Sequence, residues 1–221
     1  VCLNLENDIF PFKVTILITV GLWIYLLNLT NFLDGADGFL ISNFLIIILQ
    51  ILAIYFFFNL TLFSYVISLI LLPLVLMFLI FNKPPAKLFM GDAGSIFLGF
   101  ICGFFFLELT FSGNMNLAIS LFSYFLVDCT ICIIKKLKKG IMPWIGMYDY
   151  YFLIPVLKSK KNHLNVLILL IIYGIINSLI IYMQLATDNK IFCIFSLILS
   201  FVLTQIFKHL DDKLSFLKIS K

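Results

Sequence analysis

The 221-residue chain contains no arginine, so all fifteen of its positive charges are lysine. That fits an AT-rich coding bias better than a functional choice. Charged residues of every kind make up only 12%, against 63% hydrophobic, and mean hydropathy is +1.15. A soluble domain of this size has no use for so many apolar residues. The chain therefore reads as an integral membrane protein: all-α, one domain over residues 1–221, a polytopic helix bundle. Five cysteines offer one close pair, Cys129 and Cys132. This C-x-x-C lies in an apolar helix without a second pair, which leaves a zinc or redox framework little support. No signal peptide, internal repeat or low-complexity linker is visible. Val1 stands where a start methionine would, and the chain is expected to begin inside a longer protein. The formal charge of +4 does not mark a nucleic-acid partner, because the lysines gather beside apolar runs.

What is present is length and apolarity. Seven segments, each long enough to span a bilayer at about 18 to 22 residues, fall at 15–33, 39–58, 62–81, 93–111, 116–134, 164–186 and 191–207. Pro73 lies inside the third and predicts a kink there. With seven spans, thirteen of the fifteen lysines collect on one side, and only Lys13 and Lys190 fall on the other. The positive-inside rule makes the lysine-rich side cytoplasmic and places residues 1–12 outside. The one long loop, 135–163, is apolar and aromatic in its middle, which suits a segment lying in the membrane interface.

Two polar stretches stand at the cytoplasmic ends of these spans. The first is Asn28-Leu-Thr-Asn31-Phe-Leu-Asp34-Gly-Ala-Asp37-Gly38. Polar side chains at such places are costly and usually serve a purpose. Asn28, Asn31, Asp34 and Asp37 recur every three residues, and on a helix that spacing predicts a single polar ridge. Two carboxylates close together repel unless a cation or a proton intervenes, and hard oxygen ligands suit magnesium. The plainer reading is a helix ending in water with Asp-Gly turns beyond it. The second stretch is Asn82-Lys-Pro-Pro-Ala-Lys87-Leu-Phe-Met-Gly91-Asp92-Ala-Gly94-Ser95. Asp92 and Ser95 open the fourth span, where free N–H groups and the helix dipole favour phosphate. Lys83 and Lys87 add positive charge. On this stretch alone, Asp92 as a simple N-cap with lysines as topology markers remains equally open.

Together the two stretches resemble the polyprenyl-phosphate N-acetylhexosamine-1-phosphate transferases, the glycosyltransferase family 4 enzymes that begin lipid-linked cell-envelope glycans. A third match is Asp128, seven residues before Lys135-Lys-Leu-Lys-Lys-Gly140. The resemblance implies a magnesium-dependent exchange at the cytoplasmic face of the plasma membrane. The partners would be the bilayer, a polyprenyl phosphate lipid and a UDP-N-acetylhexosamine. Sugar-1-phosphate would pass to the lipid and UMP would leave. Carried over by position, Asp92, Asn31 and Asp34 would hold the metal, with Asp34 and Asp37 catalytic. Asn28, Lys87, Gly91 and Ser95 would bind substrate. The family precedent permits a homodimer.

Two departures are visible. The family's earlier acidic motif is absent, as expected if it lies in a preceding part of three or four spans. Its histidine-rich loop motif is replaced by Met147-Tyr-Asp149-Tyr150-Tyr151-Phe152, the histidine falling on Asp149 or Tyr150. His163 lies too far along to be an obvious substitute. These departures leave a second reading, a degenerate non-catalytic relative. Asp128 is weighed as a helix-packing acid paired with a lysine against a catalytic residue. Glu108 is expected to reach the outer interface. Trp23, Trp144 and Tyr148 are expected to be interface anchors.

Overall fold

The computed structural model describes residues 12–60, 62–142, 150–159 and 162–210. Lipid offers backbone N–H and C=O groups no partner, so apolar runs must pair them internally as helices. Among the described residues these are α1 (Phe12–Phe32), α2 (Phe39–Phe58), α3 (Phe63–Asn82), α4 (Gly91–Phe111), α5 (Met115–Leu121), α6 (Ser123–Lys138), α7 (Leu153–Lys158), α8 (Asn162–Thr187) and α9 (Ile191–His209). Six of them, α1 to α4 with α8 and α9, are long and apolar enough to cross a membrane, and α5 with α6 makes a seventh as one bent pair. The protein is a polytopic membrane helix bundle. α3 continues through Pro73 from Phe63 to Asn82.

The fifth segment differs from the uninterrupted span expected over 116–134. The chain bends by 74° between α5 and α6. Serine hydroxyls that bond back to the backbone loosen and bend helices, and here Ser123 Oγ donates to Ser120 O at 2.8 Å. The same carbonyl also accepts Asn177 Nδ2 at 3.1 Å. Ser120 Oγ meets Gln184 Oε1 at 2.7 Å. Groups freed by the break are thus satisfied from α8, as irregular backbone at membrane depth requires.

The bundle has two distinct ends. At one, the α1–α2 turn meets the α3–α4 loop through Gly38 N–H donating to Asn82 Oδ1 at 3.1 Å. Phe39 at the start of α2 stacks on Phe152 with centroids 4.3 Å apart and touches Phe207 near the end of α9. Tyr150 stacks on Phe32, the last residue of α1, at 5.5 Å. The C-termini of α1, α3, α6 and α9 and the N-termini of α2, α4 and α8 therefore share this end. At the other, Glu108 accepts the N–H groups of Phe63 and Ser64 at 2.5 and 2.8 Å. Rather than reaching out to an interface, its carboxylate caps α3, whose first amides would otherwise be orphaned.

α2 is the most enclosed helix, with 61% of its most apolar stretch buried, against 17% for α1 and α3 at the edge. α1 packs chiefly on α4. The seam is made of small residues one turn apart on α4: Ser95, Gly99 and Gly103. Membrane helices approach most closely across such residues. A Cβ on Gly99 would lie 2.9 Å from both the Cα and the carbonyl oxygen of Leu27. A Cβ on Gly103 would collide with the Trp23 ring. Trp23 donates its indole N–H to Phe100 O at 3.2 Å. Gly103 is the thirteenth residue of α4, about 18 Å from its start at 1.5 Å per residue. Trp23 is thus a seam residue at mid-span, not the interface anchor its residue type suggested. Trp144 and Tyr148 lie outside the described residues.

Candidate active site at the mouths of α1 and α4

α1 stops at Phe32, and residues 33–38 form a chain of turns. Asp34 N–H donates to Asn31 O at 3.3 Å and Phe39 N–H to Ala36 O at 3.1 Å. Gly38 sits at φ 72°, a left-handed conformation that glycine adopts without strain, and the chain reverses there into α2. The continuous helical ridge expected of the first motif is therefore broken. Only Asn28 and Asn31 share a helical face, and the two aspartates diverge.

Asp34 turns toward α4. That helix begins at Gly91 after Met90, and no side chain within it caps its N-terminus. Asp92 occupies its first turn and is exposed, so it is not the N-cap. Asp34 approaches this helix end from across the seam, near enough for the Gly91 N–H to favour its charged form. Gly91 itself holds φ 63°, a left-handed conformation. Partial burial lifts the Asp34 carboxyl above the usual carboxylate range; the Gly91 N–H pulls it back, and the negative charge of Asp92 lifts it again. Asp34 and Asp92 therefore stand at the same helix N-terminus.

The neighbouring contacts fix this pair. Ser95, 0% exposed, donates its hydroxyl to Asn31 Oδ1 at 2.6 Å. The bond locks α1 to α4 one turn below the carboxylates and gives Ser95 a place in the seam instead of at a phosphate. Asn28 is exposed and donates its amide back to Ile24 O at 2.9 Å. Lys87 is exposed on the α3–α4 loop, its backbone N–H held by Phe81 O at 2.8 Å. Asn31, Asp34, Gly91, Asp92 and Ser95 are thus brought together, while Asn28 and Lys87 stand at the margins.

Asp37 faces the other way. Its Oδ2 accepts the Ala86 N–H at 3.1 Å, which ties the α1–α2 turn to the α3–α4 loop. Its own N–H donates to His163 Nδ1 at 3.1 Å, and that nitrogen lies 3.7 Å from Asp37 Oδ2. His163, remote in sequence from every motif, is thereby a neighbour of the first one. No sequence signal pointed to it beyond its being one of only two histidines.

Among the positions where a histidine was expected, Asp149 lies outside the described residues. Tyr150 is 4% exposed, its ring against Phe32 and its hydroxyl 3.5 Å from Lys136 Nζ. Burial raises its phenol. Asp128 holds this part of the chain in place. Its carboxylate, 0% exposed, accepts Tyr124 O–H at 3.0 Å and Tyr151 N–H at 3.2 Å. The Cys132 thiol completes the set at 3.8 Å. Asp128 is a buried tether for residues 150–152, and Leu153 beyond them packs against Gly35 of the aspartate turn.

Both motifs lie within a stretch of recognisable kinship. Residues 4–110 match the family model described as Glycosyl transferase family 4. The resemblance drawn from the two motifs is borne out over that stretch. The chain is 37% identical over 94 residues to the phospho-N-acetylmuramoyl-pentapeptide-transferase of Leuconostoc mesenteroides, covering 40% of this chain and 28% of that protein. It is 38% identical over 104 residues to the enzyme of the same name from Thermotoga neapolitana, covering 42% and 31%. It is 39% identical over 80 residues to the probable undecaprenyl-phosphate N-acetylglucosaminyl 1-phosphate transferase of Bacillus subtilis, covering 36% and 22%. The matched stretches thus span less than a third of each of these three relatives. No solved structure matches the chain.

Proposed function

We propose that the chain is a single integral membrane domain of a transferase that moves a sugar-1-phosphate from a UDP-N-acetylhexosamine to polyprenyl phosphate. The new bond joins a phosphate oxygen of the lipid to the sugar-bearing phosphorus, the bond from that phosphorus to UMP breaks, and UMP leaves. The observation that carries the reading is the joining of the two motifs at the start of α4, where Ser95 bonds Asn31 at 2.6 Å in the turn beside Asp34 and Asp92. The names of the similar proteins, which refer to phospho-N-acetylmuramoyl-pentapeptide and undecaprenyl phosphate, support the substrate classes. The side bearing the site is taken as the cytoplasmic face of the plasma membrane, from its lysines.

The donor set fits a divalent cation. Among the described residues no three His, Cys, Asp or Glu side chains converge to hold a metal unaided. Magnesium does not need that many: it commonly takes one or two carboxylates and fills its remaining positions with water and substrate phosphate. Asp34 and Asp92 would hold it, with Asn31 Oδ1 beside them. When bound, the cation neutralises charge on the diphosphate, which is most of what phosphoryl transfer asks of a site. The remaining work falls to this chain's own groups. Ser95 holds Asn31 in register beside Asp34. Asp37 fixes the turn against the α3–α4 loop. Lys87 offers an exposed positive charge to an anionic substrate.

The test uses the whole protein in membranes supplied with polyprenyl phosphate, magnesium and a panel of UDP-sugars. UMP release is expected from the wild type and is expected to be abolished by Asp92→Ala and by Asp34→Ala. A wild type that releases no UMP from any UDP-sugar would favour the non-catalytic alternative, and unchanged turnover in both variants would overturn the roles of the two aspartates.

A further inference from the structure

His163 opens α8 yet meets Asp37, 126 residues away in the chain. The contact is specific in kind. A backbone N–H can only donate, so the Nδ1 that receives it must present a lone pair, and the neutral ring then carries its proton on Nε2. The same Nδ1 stands 3.7 Å from Asp37 Oδ2, which already accepts the Ala86 N–H at 3.1 Å. The two side chains are only 16% and 20% exposed. Gly38, immediately after Asp37, is held in turn by Asn82 and crowded by Leu167 of α8, whose Cδ1 would lie 3.1 Å from a Cβ. The turn bearing both aspartates is therefore gripped from two elements: the α3–α4 loop on one side and the first turn of α8 on the other.

We infer that His163 is a positioning residue for the reaction proposed above: its Nδ1 accepts the Asp37 N–H and so fixes the direction of the Asp37 carboxylate. The inference rests on the transferase reading for its kinetic consequence, but not for its chemistry. The first turn of α8 supplies the acceptor because helix N-terminal side chains can reach past the end of their own helix toward a neighbouring turn. The role differs from that of an imidazole that donates to a substrate phosphate, for which Nε2–H would be the working atom.

Three variants separate these roles. Asparagine places Oδ1 where Nδ1 was, glutamine places its amide near Nε2, and alanine removes both. In the whole protein in membranes, His163→Ala and His163→Gln are expected to lower kcat by about tenfold or more with a much smaller change in KM for the UDP-sugar, while His163→Asn recovers most of the rate. Rescue by glutamine and not asparagine would overturn the inference in favour of a donor at Nε2. Equal loss in all three, or wild-type rates in all three, would overturn it as well. A second readout does not need activity. In protein labelled with 15N at histidine, the resonances that disappear in His163→Asn should belong to a neutral ring protonated at Nε2. Protonation at Nδ1 would refute the inference. If the wild type releases no UMP, the transferase reading fails while this measurement still decides the role of His163.

Discussion

The close fit of α1 on α4 can be tested with a single methyl group. Gly99→Ala would place a Cβ 2.9 Å from the Cα and carbonyl oxygen of Leu27, with Thr30 Cβ at 3.2 Å. Carbon atoms settle at about 3.5–4.0 Å, so the shortfall is about 0.6–1 Å. The obstructing atoms are backbone, and they cannot rotate away as a side-chain tip could. α1 must move outward by roughly that shortfall, at about 1–3 kcal/mol for an overpacked site. Asn31 lies one turn beyond Leu27, and Ser95 one turn before Gly99. The same displacement would therefore stretch the 2.6 Å bond between Ser95 and Asn31 and pull Asp34 from Gly91. A misplacement near 1 Å costs on the order of a hundredfold in rate where geometry is the main source of catalysis. The assay is UMP release by the whole protein in membranes, paired with its melting temperature in detergent. Gly21→Ala, with nothing within 4 Å of the added atom, serves as control. Turnover of Gly99→Ala equal to that of the control would refute the claim that the seam sets the site.

Two further expectations follow from single side chains. Asp34 has its pKa raised in the fold, chiefly by burial, so ionising it costs the folded state. In chelator, its contribution to stability should be fullest below the ordinary carboxylate range and fall as pH rises from there through the raised value. The difference in melting temperature between wild type and Asp34→Asn should follow that course, and a rise over the same window would contradict it. Asp128→Ala would leave the Tyr151 amide and the Tyr124 hydroxyl without their acceptor, each loss costing about 1–3 kcal/mol. Faster tryptic cleavage between 135 and 161 and a lower melting temperature are expected, and unchanged cleavage would refute the tether.

How much of this was legible in the sequence varied with how local the cause was. Helix positions could be read because an apolar run in lipid has no alternative to pairing its own backbone. The second, third and seventh spans ended within two residues of expectation, at Phe58, Asn82 and His209. The bend at Phe122 could not be read, since Ser120 and Ser123 look like ordinary small residues until Asn177 and Gln184 arrive from α8 to satisfy them. The motif residues were found, but a three-residue repeat was mistaken for helical continuity. α1 ends at Phe32, and the turns over 33–38 send Asp34 and Asp37 to different neighbours. Asp92 was read as a cap or a ligand; it stands inside the first turn of α4 and not at its cap, and Asp34 approaches the same helix end from the other motif. His163 was dismissed on sequence distance, and only the approach of α8 to the α1–α2 turn gives it a role. The spacing of Ser95, Gly99 and Gly103, one turn apart, went unread although small residues so placed mark close helix packing.

The central claim is that Asp34 and Asp92 jointly hold a divalent cation where α1 and α4 open to the lysine-rich side. The most direct measurement is manganese binding to the whole purified protein, followed by the loss of the free ion's paramagnetic resonance signal, in wild type, Asp34→Asn and Asp92→Asn. The account predicts a saturable site in the wild type that is lost in each variant alone. Undiminished binding in both variants would contradict it.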